Sequence, residues 1–268
     1  MTRVPSRSPA LALGLVSGLV VALAAQQPAP PSAEHVRAHY TKFEYRIPVR
    51  DGARLFTSVY VPKTCDAASP YPILLNRTPY SVGPYGVDHY RDTVGPSEVA
   101  MKEGFIVAYQ DVRGRYMSDG SWIEVRPHRP EKAGPADTDE STDTWDTIDW
   151  LVEHVACNNG RVGMWGISYP GFYVSAGMID AHPALKAVSP QAPVTDYYLG
   201  DDAFHNGAFM LAANFGFYSV FKPRVGEPQP PPERVPFRYG TPDGYQFYLD
   251  LGPLWAGAER HGLNDNPH

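Results

Sequence analysis

The chain has 268 residues with 23 basic and 29 acidic side chains, a formal net charge of −6. At 43% hydrophobic and 19% charged the composition is globular rather than disordered. The lack of any basic run argues against a nucleic-acid binder. Pro 28 and Gly 24 mark a chain rich in turns and exclude an all-helical bundle.

Arg3 and Arg7 precede an apolar run from Ala10 to Ala25, and Ala22-Leu23-Ala24 fits a small-x-small cleavage pattern before a polar, Pro-rich stretch. Sixteen residues fall short of the roughly 20 that span a bilayer. Residues 1–24 are therefore expected to be a signal peptide, an uncleaved N-terminal anchor being the alternative, and residues 25–42 a linker. The expected location is periplasmic or extracellular, with no stable membrane anchor. In such a compartment Cys65 and Cys157 can form one disulfide or remain two thiols, and the sequence leaves both open. No metal is expected, since neither cysteine belongs to a Cys-x-x-Cys pair.

Phe43–Arg50 and Arg54–Val61 alternate apolar and polar residues around Asp51-Gly52, which predicts a β-hairpin. Tyr71–Asn76, Phe105–Tyr109 and Arg161–Gly166 are short apolar runs suited to buried parallel strands. Ser97–Glu103 reads as a short helix stopped by Gly104. Asp137, Asp139, Glu140 and Asp143 place negative charge at the start of a longer helix. Trp145, Ile148, Leu151, Val152 and Val155 form its apolar face. A calcium loop fits that acidic run poorly, because the central Gly and terminal Glu are out of register. A helix from Phe172 to about Ala181 and a strand over Leu185–Ser189 follow. Strand and helix in alternation predict an α/β sheet, residues 43–193, with an antiparallel hairpin at its edge. From residue 194 the pattern changes. Tyr197–Val220 looks helical, Lys222–Pro236 holds six prolines and reads as a loop, and Gly244–Leu251 is a further helix ending at Gly252-Pro253. Residues 194–268 are expected to begin a helical region over the sheet.

Val162–Gly171 combines a buried strand, a sharp turn and a helix start, the context of a nucleophile elbow with Ser168 at its tip. The helix behind it would offer backbone N–H groups and a positive dipole end to a forming oxyanion. The usual Gly-x-Ser-x-Gly pattern wants Gly at position 170, whereas this chain has Pro170 and then Gly171. Gly-x-Ser by itself equally describes an ordinary βα turn.

Gly166-Ile167-Ser168-Tyr169-Pro170-Gly171 resembles the elbow of the Xaa-Pro dipeptidyl-peptidase-like hydrolases, a group that includes cocaine-esterase-type enzymes and α-amino-acid ester hydrolases. Asn76–Tyr80 resembles the family's post-strand loop, and Gln110–Gly120 its Asp-x-Arg-Gly segment. Gly200–Phe209 is most similar to the α-amino-acid ester hydrolases. The resemblance covers about Phe43 to Tyr218 and implies the N-terminal, incomplete portion of an α/β-hydrolase sheet with the start of a helical cap. It implies that Ser168 is the nucleophile, and that the backbone N–H of Tyr169 and the hydroxyl of Tyr80 form the oxyanion hole. It also implies that Asp202 belongs to an acidic cluster for a substrate's α-ammonium group. Read without it, Tyr80 is a surface aromatic and Asp201 or Asp202 a helix N-cap. Asp111 and Arg113 are expected to hold a loop rather than do chemistry.

A serine nucleophile needs a base and an orienting carboxylate, which follow the serine on later strands in this fold. After Ser168 come only His182, His205, His261 and His268, and none fits. The expectation is the N-terminal part of a longer enzyme, inactive alone, with the acid and His beyond residue 268. The substrate would be a small α-amino-acid ester, amide or short peptide, with no cofactor and no nucleic acid, in a chain that can form a homo-oligomer. The alternatives are an Xaa-Pro dipeptidyl peptidase, a broad carboxylesterase, or a catalytically inactive binding protein.

Overall fold

The Asp51-Gly52 turn closes a hairpin in which β1 (Tyr40–Pro48) pairs antiparallel with β2 (Arg54–Pro62), Ile47 opposite Leu55. Gly52 takes a left-handed φ of 88°, the conformation this turn needs and glycine supplies without steric cost. The computed structural model describes residues 31–200 and 202–263, so the predicted signal segment 1–24 lies outside the described residues. Residues 33–39, expected in a linker, form α1 (Ala33–His39), capped by the Ser32 hydroxyl and anchored by the buried Val36.

Next in the chain come β3 (Tyr71–Thr78), α2 (Glu98–Glu103), β4 (Ile106–Asp111), α3 (Glu140–His154), β5 (Asn158–Ile167), α4 (Tyr169–Gly177) and β6 (Leu185–Gln191). The sheet order is β1-β2-β4-β3-β5-β6. β2 meets β4 antiparallel, while β4, β3, β5 and β6 run parallel. From β3 the chain crosses one way to β4 and then back over β3 to β5, so the order reverses between β3 and β5. Ligands of open α/β sheets bind beyond the carboxyl ends of the strands at such a point.

The central strands are buried on both faces. Ile73, Leu75, Ile106 and Ala108 pack with Ile148 and Leu151 of α3 and Val174 of α4. The alternate residues Val107 and Tyr109 face Val36, Phe56 and Tyr60 on the other side. Cys65 and Cys157 form a disulfide. Beyond β6 the expected helix over Tyr197–Val220 is instead a short hairpin, β7 (Phe204–His205) with β8 (Ala208–Phe209), followed by α5 (Leu211–Tyr218). The hairpin turns at Asn206 and Gly207, both at positive φ, which breaks the helical spacing of the aromatics around it. α6 (Gly244–Leu251) spans the residues expected, and α7 (Leu254–His261) follows it.

α3 departs from its predicted character. Its apolar face holds Ile148 and Leu151, but its first turns bury Glu140, Ser141, Thr142, Asp143 and Thr144. Asp139 caps the helix in a reciprocal capping box with Thr142. Glu140 and Asp143 meet three buried arginines. Arg113 grips Asp143 at 2.7 and 2.9 Å and Asp51 at 2.8 Å, Arg126 bridges Asp143 and Glu140, and Arg77 reaches Glu140 at 3.1 Å. Burial pushes the Asp143 carboxyl up, but the hydrogen bonds and charges of these arginines outweigh it and hold it below the usual carboxylate range.

Candidate active site

β5 ends in a turn whose tip is Ser168, at φ 62° and ψ −124°. That conformation costs a residue with a Cβ about 1–3 kcal/mol and persists only where its neighbours fix it. The Ser168 N–H donates to Gln191 O at 2.9 Å, and its carbonyl accepts from Phe172 N at 3.1 Å. The hydroxyl does not cap α4, and the residue is exposed. Two glycines make the turn possible. A Cβ on Gly166 would stand 2.2 Å from Pro170 O, and one on Gly171 would stand 2.7 Å from Gln191 O. The second small residue is therefore required at position 171, where α4 crosses the end of β6, and not at 170. Pro170 is tolerated because the first turn of a helix has no internal partner for its N–H groups.

Tyr169 is the first helical residue, so its N–H likewise lacks an intrahelical partner at the positive end of α4. Its side chain is buried, with the phenol oxygen accepting from Val125 N–H at 2.9 Å. Burial pushes that phenol far up, which suits a fixed strut.

Tyr80 follows β3, across the switch point from Ser168. Its ring stands edge-on to Tyr169 at 6.1 Å and packs on Phe221 at 5.4 Å, leaving the residue 43% exposed. Burial, then the charges of Glu124 and Asp202, push the Tyr80 hydroxyl up to about 12, with the Arg115 charge opposing them. It is a proton donor at neutral pH. The structure thus brings Tyr80 against Tyr169, the residue after the candidate nucleophile.

Asp202 is exposed in the loop before β7, and its carbonyl accepts from Asn214 Nδ2 at 3.3 Å. It leads into a strand, which rules out the helix N-cap reading for this residue; Asp201 lies outside the described residues. Asp111 and Arg113 hold loops, as expected. Asp111 accepts from Tyr85 Oη at 2.9 Å, Val82 N at 3.0 Å and Met117 N at 3.3 Å. Burial nevertheless pushes its carboxyl up to about 7 against those hydrogen bonds.

Sequence reasoning missed Glu124 and Arg115. Buried Glu124 accepts from Tyr218 Oη at 2.8 Å and Tyr197 Oη at 3.4 Å. It lies in the aperiodic stretch between β4 and α3, where nothing in the pattern singles it out. Arg115 is 2% exposed, two residues beyond Arg113 in a segment already seen as distinctive.

The described histidines that follow Ser168 have other surroundings. His182 accompanies Asp149 at 3.2 Å and Trp145, His205 is in β7, and His261 packs among Phe215, Phe237 and Phe247. His268 is outside the described residues. Among the described residues, no hydrogen bond joins Ser168 to a histidine.

A family model described as X-Pro dipeptidyl-peptidase (S15 family) matches residues 51–236, which hold β2 to β6 and both sides of the switch point. The chain belongs to this family. It is a family of serine-hydrolase type that includes esterases and peptidases, and the sheet is part of an α/β-hydrolase domain. The chain is 31% identical over 174 residues to a cocaine esterase of Rhodococcus sp. (strain MB1 Bresler), covering 65% of this chain and 27% of the esterase. Among solved structures it is similar to an α-amino acid ester hydrolase, with 36% identity and TM-score 0.72 over 85% of this chain and 36% of the other. It is equally similar to an aminopeptidase from the marine sediment archaeon Thaumarchaeota archaeon, with 35% identity and TM-score 0.72 over 84% and 36%. The chain therefore spans about a quarter to a third of the length of these relatives. Among the described residues, no helix is long and apolar enough to cross a membrane.

Proposed function

We propose that the protein is an exported serine hydrolase that cleaves, or transfers, the acyl group of α-amino-acid esters or amides through an acyl-enzyme on Ser168. The observation that supports this most is the turn itself: an exposed hydroxyl that caps nothing, held at positive φ by two flanking glycines. Ser168 Oγ attacks the substrate carbonyl, and a base takes its proton. The carbonyl oxygen gains charge as the bond forms, and the Tyr169 N–H and Tyr80 Oη–H donate to it. The leaving alcohol or amine departs with a proton, and water releases the acyl group by the same steps reversed. Asp202, whose charge reaches Tyr80, pairs with the α-ammonium group. On this reading the base and its orienting acid come from outside the described residues, and residues 31–263 alone do not turn over substrate.

A fluorophosphonate probe tests the nucleophile. Labelling of the full-length protein should fall on the peptide containing Ser168 and vanish in Ser168→Ala. No label and no hydrolysis would instead favour the binding-protein reading. Asp202→Asn should lower kcat/KM on α-amino esters by about tenfold or more while sparing simple acetyl esters. Equal loss on both would point to a general carboxylesterase.

A further inference from the structure

A cleft of about 800 Å³ opens from Tyr80 along the proline-rich loop after α5. Four cations line it, Arg115, Lys222, Arg224 and Arg234, against one carboxylate, Glu233. Three of the four are guanidinium groups, and two of these are held by acceptors other than an acid. Arg115 donates to Pro79 O, Lys222 O and Tyr116 Oη, and its charge lies over the rings of Phe221, Trp122 and Tyr116 at 4.4–4.8 Å. Arg224 donates to the carbonyls of Ser118, Gly120 and Gly226, and its Nε is buried with no hydrogen-bond partner. Among the described residues, no carboxylate lies within ion-pair distance of Arg115, Lys222, Arg224 or Arg234. Burying a charge without a counter-charge is costly, and such a group is normally paired.

Charge of the opposite sign also acts on Tyr80. Glu124 and Asp202 act on Tyr80 as negative charges, and Arg115 as a positive one. Charges of both signs therefore act on the Tyr80 hydroxyl. We propose that the cleft is a subsite for a carboxylate on the leaving-group half of the substrate, which makes the preferred substrate a zwitterion of dipeptide type. The α-ammonium group lies toward Glu124 and Asp202, and the free carboxylate toward Arg115, Lys222, Arg224 and Arg234. A carboxylate there supplies the counter-charge that Arg115 lacks, and a guanidinium fork suits its geometry. The cleft volume lies within the range of small-molecule sites. Identifying this half as the leaving group rests on the acyl-transfer reading above, whereas the subsite itself is read by binding alone.

The test is calorimetric titration of Ser168→Ala protein with alanyl-phenylalanine and with its C-terminal carboxamide. The free acid should bind about tenfold more tightly than the amide. Lys222→Gln with Arg234→Gln, two exposed positions whose loss should not disturb folding, should bring the two ligands within about threefold of each other. Raising the salt from about 50 to about 500 mM should weaken the acid more than the amide, which shares only the α-ammonium contact. Equal affinities, binding of neither peptide, or a preference that survives the double variant would overturn the subsite. Fluorophosphonate labelling of Ser168 in the protein that keeps the serine is independent of these outcomes, so absence of the label there would count against the hydrolase reading alone.

Discussion

Arg113 and Arg115 are two residues apart in one segment and both are buried, yet their surroundings differ in kind. Arg113 is closed between Asp143 and Asp51, in a set where three arginines meet three carboxylates. Arg115 has only carbonyls, a hydroxyl and aromatic rings. The first arrangement cancels charge and fastens α3 beneath the sheet. The second leaves a charge standing beside Tyr80, available to whatever enters the cleft. Burial alone does not distinguish scaffold from site; what neutralises the buried charge does.

The comparison can be broken most severely through Asp143. Asp143→Ala leaves Arg77, Arg113 and Arg126 short of a counter-charge and should cost about 3–5 kcal/mol of stability in urea unfolding. Arg113→Met should cost a similar amount, since Asp143 loses its bidentate partner and Asp51 its ion pair, whereas Arg115→Met should cost only about 1–3 kcal/mol, since neutral acceptors alone lose a donor. Equal losses would mean that both arginines are scaffold. Tyr80→Phe keeps the ring and removes the donor. It should leave the urea midpoint unchanged and lower kcat of the full-length enzyme by about 10²–10³.

The last prediction is a pH dependence. Asp111 keeps its proton to about pH 7 in the folded protein, against 3.8 for an ordinary aspartate. Its contribution is complete below the unfolded value and is lost as pH rises through the folded one. Over that window, wild-type stability should fall by up to about 1.4 kcal/mol per pH unit relative to Asp111→Asn. Asp143, held low, works oppositely, and its support is lost only as pH drops below the ordinary carboxylate range. Parallel pH profiles for wild type and Asp111→Asn would show that Asp111 is ionised in the folded protein.

The strands, the Asp51-Gly52 hairpin and the turn at Ser168 were legible because each is written in local pattern: alternation, apolar runs, glycine at fixed offsets. The sheet order was not, since no residue announces that β4 inserts between β2 and β3. The acids opening α3 were read through the helix dipole, and their larger role depends on Arg77, Arg113 and Arg126, which arrive from distant segments. Tyr80 and Asp202 were named through resemblance, while Glu124 escaped because it sits in an aperiodic stretch. Arg115 lay in plain view, but a missing partner becomes visible only in three dimensions.

The bond between Cys65 and Cys157 joins the segment entering β3 to the segment entering β5. These are the amino-terminal ends of the two strands that carry Tyr80 and Ser168 at their other ends. At about 3.3 Å per residue, the bond and the chemistry are separated by roughly the length of the sheet, on the order of 25 Å. Material with the two cysteines reduced should therefore differ from oxidised material in shelf life rather than in catalysis. It would melt earlier and lose titre faster on storage, while each intact molecule reacted with the probe at the same rate.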